Sequence, residues 1–220
     1  MKWHSPETDS ILESMPQKHK RHRLIYGVAR NDANFTIGTV MDGNAVRHTA
    51  YAAWISMLQR CYGVKFRSAN SRYKDVTLHS DWLSFMSFYE WWKEHYKEDW
   101  HLDKDLLIPG NKEYSSSSCV YIPRELNSFT LARDSMRGEY PVGVSLDKQS
   151  QKYMSRVSEP NGKYLFLGLF DEPMEAHEAW FFKKLELAIR YKSLCDSIHP
   201  KLYLGVQRKI LMIHHEQIAA

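Results

Sequence analysis

Residues 100–129 read WHLDKDLLIPGNKEYSSSSCVYIPRELNSF, and the fold turns on them. His101, Asp103 and Asp105 alternate with Leu102, Lys104 and Leu106, so an extended segment here puts the polar set on one face. Pro-Gly-Asn at 109–111 marks a turn, and Cys-Val-Tyr-Ile at 119–122 is a short run rich in strand formers. Pro123 then opens a helix, because the first helical turn has no use for the missing N–H. The order predicts two antiparallel strands and a helix, a ββα unit. In that geometry a carboxylate late in the first strand and a side-chain oxygen on the helix can converge on one hard cation, and Asp103 and Asn127 are those groups. The plainer reading is a solvated strand followed by a satisfied turn.

Upstream, YAAWISMLQRCY at 51–62 places Tyr51, Trp54, Ile55 and Leu58 on one stripe of a helix. A second helix is predicted over DWLSFMSFYEWWKEHY at 81–96, capped by Asp81, with Trp82, Phe85, Phe88, Tyr89 and Trp92 on a shared face. Such aromatics could stack on bases, but at helical spacing they read as core. Residues 1–50 carry turn formers throughout and little periodicity, which predicts a basic, partly mobile arm with short strands and little core.

Downstream, three strands are expected at 141–146, 152–158 and 164–170, with Pro-Asn-Gly at 160–162 in the second turn. An amphipathic helix follows from about Glu172, acidic early (Glu175, Glu178) and basic late (Lys183, Lys184, Arg190), as the helix dipole favours. Ala176 and Ala179 let it lie close to the sheet. In the last segment Tyr203, Val206, Ile210 and Ile213 are spaced for one apolar face, and the adjacent His214 and His215 point different ways, which speaks against a metal site. The expected class is α+β, divided as an arm (1–50), a helical and ββα domain (51–135), a three-stranded sheet with one helix (136–192) and a helical tail (193–220).

With 220 residues and 43% hydrophobic content, the chain can bury a genuine core. Its three cysteines are far apart and form no CxxC pair, which supports neither a disulfide framework nor a cysteine-type zinc site and suits a reducing cytoplasm. No run approaches signal-peptide or membrane-spanning length, so an intracellular protein with no membrane role is expected. The formal charge of +4 admits an anionic partner. Lys18, Lys20, Arg21 and Arg23 cluster in QKHKRHR, either as a solvated tail or as a set of phosphate contacts. No feature suggests a small-molecule substrate.

From Trp54 to Phe129 the chain resembles bacteriophage proteins of the HNH endonuclease type. The resemblance is carried by W-x2-ML-x-RCY at 54–62, W-x2-F-x2-F-x2-W at 82–91 and LDKDLL-x2-GNK-x-YS-x3-CV at 102–120, closed by Asn127. In the broader ββα-metal nuclease family an aspartate and a following histidine sit on the first strand, the aspartate holding a divalent cation and the histidine activating water. The resemblance implies Asp103 and Asn127 as ligands of Mg²⁺ or another divalent cation, and double-stranded DNA as substrate. Lys104 occupies the histidine's place, and an exposed lysine is protonated at neutral pH. The resemblance then leaves four alternatives: His101 supplies the base, Lys104 acts as base through desolvation, water is activated without a protein base, or the site does not cut.

Residues 138–188 are similar to the plant ethylene-response-factor type of DNA-binding domain, which also accompanies phage and homing endonucleases. YPVGVS at 140–145, KYMSRV at 152–157 and FLGLFDEPMEAHEAW at 166–180, with Gly143 and Gly168, carry this likeness. In that family the sheet face enters the major groove. The positions implied as contacts are Ser145, Tyr153, Arg156, Ser158, Tyr164 and Phe166. Several family arginines are replaced, at Val142, Ser145 and Tyr164, so a different recognition sequence is implied. Two functions follow as expectations: a metal-dependent, homing-type DNA endonuclease working in a bacterial host cytoplasm, or a DNA-binding protein whose nuclease-like domain is only a scaffold.

Overall fold

A computed structural model describes residues 5–17, 23–131, 139–159 and 162–219. The fold is α+β, and the chain divides into two compact units: Met1–Tyr96 with Asn111–Cys119, and Lys97–Gly110 with Val120–Ala220. These units run differently from the sequence division, whose boundary at 135/136 falls inside the second unit.

In the first unit, helix α1 (Pro6–Ser14) starts where Ser5 Oγ accepts from the Thr8 amide and Pro6 takes the first turn. Strands β1 (Gly38–Met41) and β2 (Asn44–Arg47) form a hairpin through Asp42-Gly43, both with positive φ (49° and 76°), the pairing that matches strand twist. Helices α2 (Thr49–Tyr62) and α3 (Val64–Ala69) follow, then β3 (Thr77–Leu78) and α4 (Phe85–His95). The second helix is interrupted where the sequence predicted continuity. Ser80–Leu83 is a 3₁₀ turn, and Ser84, not Asp81, caps α4 by accepting from the Ser87 amide.

Trp54, Phe85 and Phe88 are fully buried, with Trp54 Nε1 donating to the Trp82 carbonyl at 2.7 Å. The aromatic stripe is core, as read. The first 50 residues differ from expectation: Leu12, Ala29 and Phe35 lie in that core. A polar lock holds them there, since Glu13 Oε1 accepts from the Tyr89 hydroxyl at 2.7 Å and lies 3.0 Å from His48 Nε2. Windowed periodicity does not see such anchors, because Leu12 sits in a helix of only nine residues and Ala29 and Phe35 stand singly among turn formers.

The second unit contains β4 (Trp100–Asp103); the chain then lends β5 (Glu113–Tyr114) to the first unit, where it pairs in parallel with β3. It returns as β6 (Val120–Pro123) and α5 (Arg124–Thr130), with β6 antiparallel to β4. The ββα order is therefore present. Strand β4 ends at Asp103, however, so Asp105 does not continue its face as the alternation suggested. Then come β7 (Val144–Asp147), β8 (Lys152–Ser158) and β9 (Tyr164–Phe170) as one antiparallel sheet in that order, α6 (Pro173–Ala188), α7 (Lys192–Ile198) and α8 (Leu202–Ile218).

One core serves this whole unit. Ile122, Leu126 and Phe129 of the ββα segment, Val157 and Trp180 of the sheet and α6, and Val206 and Ile210 of α8 belong to a single buried cluster. Two glycines allow it. A Cβ on Gly143, whose φ is +85°, would overlap the Trp180 ring, and one on Gly205 would overlap the Leu106 carbonyl oxygen. Cys61, Cys119 and Cys195 are buried thiols. Among the described residues no helix is long and apolar enough to cross a membrane.

Candidate metal and nucleic-acid site

Strand β4 pairs His101 with Ile122 and Asp103 with Val120, so His101 and Asp103, two apart, emerge on one face. Ile122 and Leu126 are fully buried and Phe129 nearly so, which fixes the roll of α5 and brings Asn127 toward that face. Asn127 Nδ2 lies 3.0 Å from His101 Nδ1. With the amide donating, a neutral His101 carries its proton on Nε2. His101 is exposed, while Asp103 and Asn127 keep partial solvent contact.

Asp103 Oδ1 accepts from the amides of Asp105 at 2.9 Å and Leu106 at 2.8 Å, which turns the chain off the strand. Burial, and then the nearby Asp105, push the Asp103 carboxyl up to about 6, against the opposing effect of the two amides and of Lys209. A carboxylate held in that condition gains from a cation, because the cation competes with the proton for the same oxygens.

Lys104 is turned away from this role. Its ammonium is 3.5 Å from Asp105 Oδ2, and Lys209 Nζ of α8 is 3.6 Å from the same oxygen. Its side chain is only 13% exposed. Lys104 lies beyond the end of β4, in the turn that Asp103 Oδ1 closes, and so does not continue the strand face of His101 and Asp103. Asp105 and Lys209 were not legible as part of the site, because nothing in the sequence relates α8 to the end of β4.

Asp103 and Asn127 offer a carboxylate and an amide oxygen, which are hard donors suited to Mg²⁺, an ion that keeps several waters and needs few protein ligands beside a substrate phosphate. Among the described residues no three of His, Cys, Asp and Glu gather as a metal cluster, so a soft or fully protein-caged ion has no support.

The three-stranded sheet turns Val144, Ser155 and Val157 inward, and Ser155 Oγ donates to the Ala176 carbonyl of α6 at 2.7 Å. The opposite face carries Ser145, Arg156, Ser158, Tyr164 and Phe166. Tyr164 and Phe166 are 64% and 56% exposed, and Arg156 reaches Ser145 Oγ at 3.4 Å. A bulge between Ser155 and Arg156 in the pairing leaves Leu167 unmatched, which keeps Leu165 and Leu167 against the core and turns Leu169 outward. Tyr153 does not join the outer face. It shares the side of Ser155 and Val157, and its ring meets Tyr140 edge-on at 5.4 Å. Of the basic run, Arg23 is exposed in the first unit, and Lys18, Lys20 and Arg21 lie outside the described residues.

No known protein family, curated protein or solved structure matches this chain.

Proposed function

We propose that the protein is a metal-dependent DNA endonuclease of the ββα type, with the outer face of the β7–β8–β9 sheet as its duplex-binding surface. The observation that carries this reading is the grouping of His101, Asp103 and Asn127 on one face of a strand–strand–helix unit, with Asn127 Nδ2 at 3.0 Å from His101 Nδ1. The sequence likeness to phage HNH proteins supports it.

In this reading Asp103 and Asn127 hold a divalent cation, which supplies charge neutralisation to the scissile phosphate and its leaving oxygen. The Asn127 amide donates to His101 Nδ1 when its oxygen is not on the cation. Turning that oxygen to the cation frees Nδ1, and His101, two residues upstream of the position the family uses, takes the proton from the attacking water there, on the same strand face as the carboxylate. Lys104, engaged with Asp105, maintains the turn and takes no proton. Arg156, Tyr164 and Phe166 contact the duplex, and the core shared by sheet and ββα unit gives the two parts a common scaffold.

A second reading, a DNA-binding protein that does not cut, draws on Lys104, which stands where the family carries its histidine. Supercoiled plasmid incubated with the protein and Mg²⁺ or Mn²⁺, against an EDTA control, separates them. Cation-dependent nicking is expected. Duplex binding with no nicking in either metal would establish the second reading, and no duplex binding at all would remove both.

A further inference from the structure

Between α5 and the three-stranded sheet, within the second unit, lies a cavity of about 700 Å³ whose lining includes Arg124, Ser128, Arg156, Lys184 and Tyr191. The volume falls in the range of small-molecule sites. Two of its polar groups are buried and wait for an acceptor. Lys184 is 6% exposed, and its ammonium rests 3.7 Å from the Phe129 ring centroid and 5.8 Å from that of Trp180, with no carboxylate or other polar partner among the described residues. The Tyr191 hydroxyl is buried without a hydrogen-bond partner among them. Leaving the Tyr191 hydroxyl unpaired is costly, and a methionine in place of Lys184 and a phenylalanine in place of Tyr191 would fill the same space without a polar group.

The remaining charges narrow the ligand. Arg124 and Arg156 add two cations, and the carboxylates Glu125 and Glu159 also line the cavity. Arg190 lies 3.4 Å from Glu159 and neutralises it, which leaves Glu125 to accept from a donor group. Glu125 lies near enough to the Tyr191 hydroxyl to act on it, so an anion with hydroxyl or amino donors close by, as in a nucleotide, suits the cavity better than a bare anion.

We propose that this cavity binds a phosphate-bearing ligand of nucleotide size, its phosphate held by the Lys184 ammonium and the Tyr191 hydroxyl, which flank the Phe129 ring, and its donors by Glu125. The phosphate comes either from a free nucleotide or from a nucleotide of a DNA strand, and the proposal does not depend on cleavage.

Protonation gives it a signature. Burial pushes the Lys184 ammonium down to about 7, and burial followed by the nearness of Glu125 pushes the Tyr191 hydroxyl up to about 12. The charged groups lining the cavity are Arg124 and Glu125 from α5, Arg156 from β8, and Glu159 from the turn after it, joined by the phenols of Tyr164 and Tyr191. An anion favours charged Lys184, so binding takes up a proton near neutrality and weakens as pH rises.

The test is calorimetric titration of the full-length protein with thymidine 5′-monophosphate, thymidine, inorganic phosphate and a short duplex, at about pH 6 and about pH 8.5, bracketing the titration of Lys184. The monophosphate is expected to bind with proton uptake and about tenfold more weakly at the higher pH, with thymidine weaker still. Lys184→Met and Tyr191→Phe should each weaken it about fivefold or more. If the phosphate belongs to DNA instead, the monophosphate is silent and the same two substitutions weaken the duplex. Thermal melts check folding, and Tyr191→Phe carries the test should Lys184→Met unfold. Monophosphate binding without duplex binding leaves this proposal standing while removing the DNA reading. Absence of binding by both, or affinities within twofold of wild type in both variants, overturns it.

Discussion

The side-chain amide nitrogen of Asn127 on α5 lies 3.0 Å from Nδ1 of His101 on β4, although 26 residues separate them in the chain. Asp103 is two residues further along the same strand face, so the three groups that hydrolysis would use share one side of the ββα unit. Lys104, between them in sequence, goes to Asp105 instead.

That division predicts a mutational pattern. Asp103→Ala and Asn127→Ala should each reduce metal-dependent nicking by about 100-fold or more while duplex affinity stays near wild type. His101→Ala should slow nicking by about 100-fold. Lys104→Ala should leave cleavage within a few fold, and Lys104→His should not raise it, because position 104 lies in the turn beyond β4, toward Asp105. A plasmid-nicking time course measures all four. Equal loss in Lys104→Ala and His101→Ala would refute the assignment of the base.

Asp103 also makes stability depend on pH and on metal. Its folded pKa, about 6, lies above the unfolded value, so the folded state binds more protons between about pH 4 and pH 6 and stability falls as pH rises through that window. Asp103→Asn keeps the Oδ1 acceptor for both amides and removes the buried charge. It should stabilise the protein at neutral pH by at most about 3 kcal/mol and flatten that part of the profile. Mg²⁺ should raise the melting temperature of the wild type and not that of Asp103→Asn. Melts at several pH values, with and without Mg²⁺, decide this.

The outer sheet face predicts which substitutions alter DNA recognition. Arg156→Ala should cost about 1–3 kcal/mol of duplex binding, and Phe166→Ala and Tyr164→Ala should weaken it as well. Tyr153→Ala should lower the melting temperature and leave sequence preference unchanged, since its ring packs with Tyr140. Removing Lys18, Lys20, Arg21 and Arg23 together should weaken all sequences alike and flatten the salt dependence, by about 0.9 in slope for each phosphate no longer neutralised. Gel shifts at two salt concentrations distinguish these outcomes, and an effect of Tyr153→Ala on sequence preference would contradict the placement of its ring.

The shared core predicts that residues 136–192 do not fold alone. The fragment lacks Ile122, Leu126 and Phe129 on one side and Val206 and Ile210 on the other, all members of the cluster that also holds Val157 and Trp180. Its far-ultraviolet circular dichroism should show no cooperative melt. In the full chain, Gly205→Ala should destabilise by about 2–4 kcal/mol or more, because a Cβ there meets the Leu106 carbonyl and the neighbour is backbone, which cannot step aside.

What the sequence determined by itself was local. The stripe through Trp54 on α2, the stripe through Phe85, Phe88 and Trp92 on α4, the three strands after Tyr140, the long helix from Pro173 and the strand–turn–strand–helix order around Asp103 all follow from periodicity and turn residues, which act within a few residues. Asp103, His101 and Asn127 could be named as candidates on the same grounds.

Tertiary structure alone decided which of the candidates meet. That β4 stops at Asp103 sends Lys104 and Asp105 into an ion-pair group with Lys209 of α8, a residue more than a hundred positions away. That Leu12 and Phe35 are core, that Tyr153 faces inward, and that Lys184 and Tyr191 border one cavity are likewise outcomes of packing between distant elements. The physical reason is that hydrogen-bond and dihedral preferences are set by near neighbours in the chain. Burial of a side chain, and so the charge state and partner it ends with, depends on which other surface closes over it, and no window of sequence contains that surface.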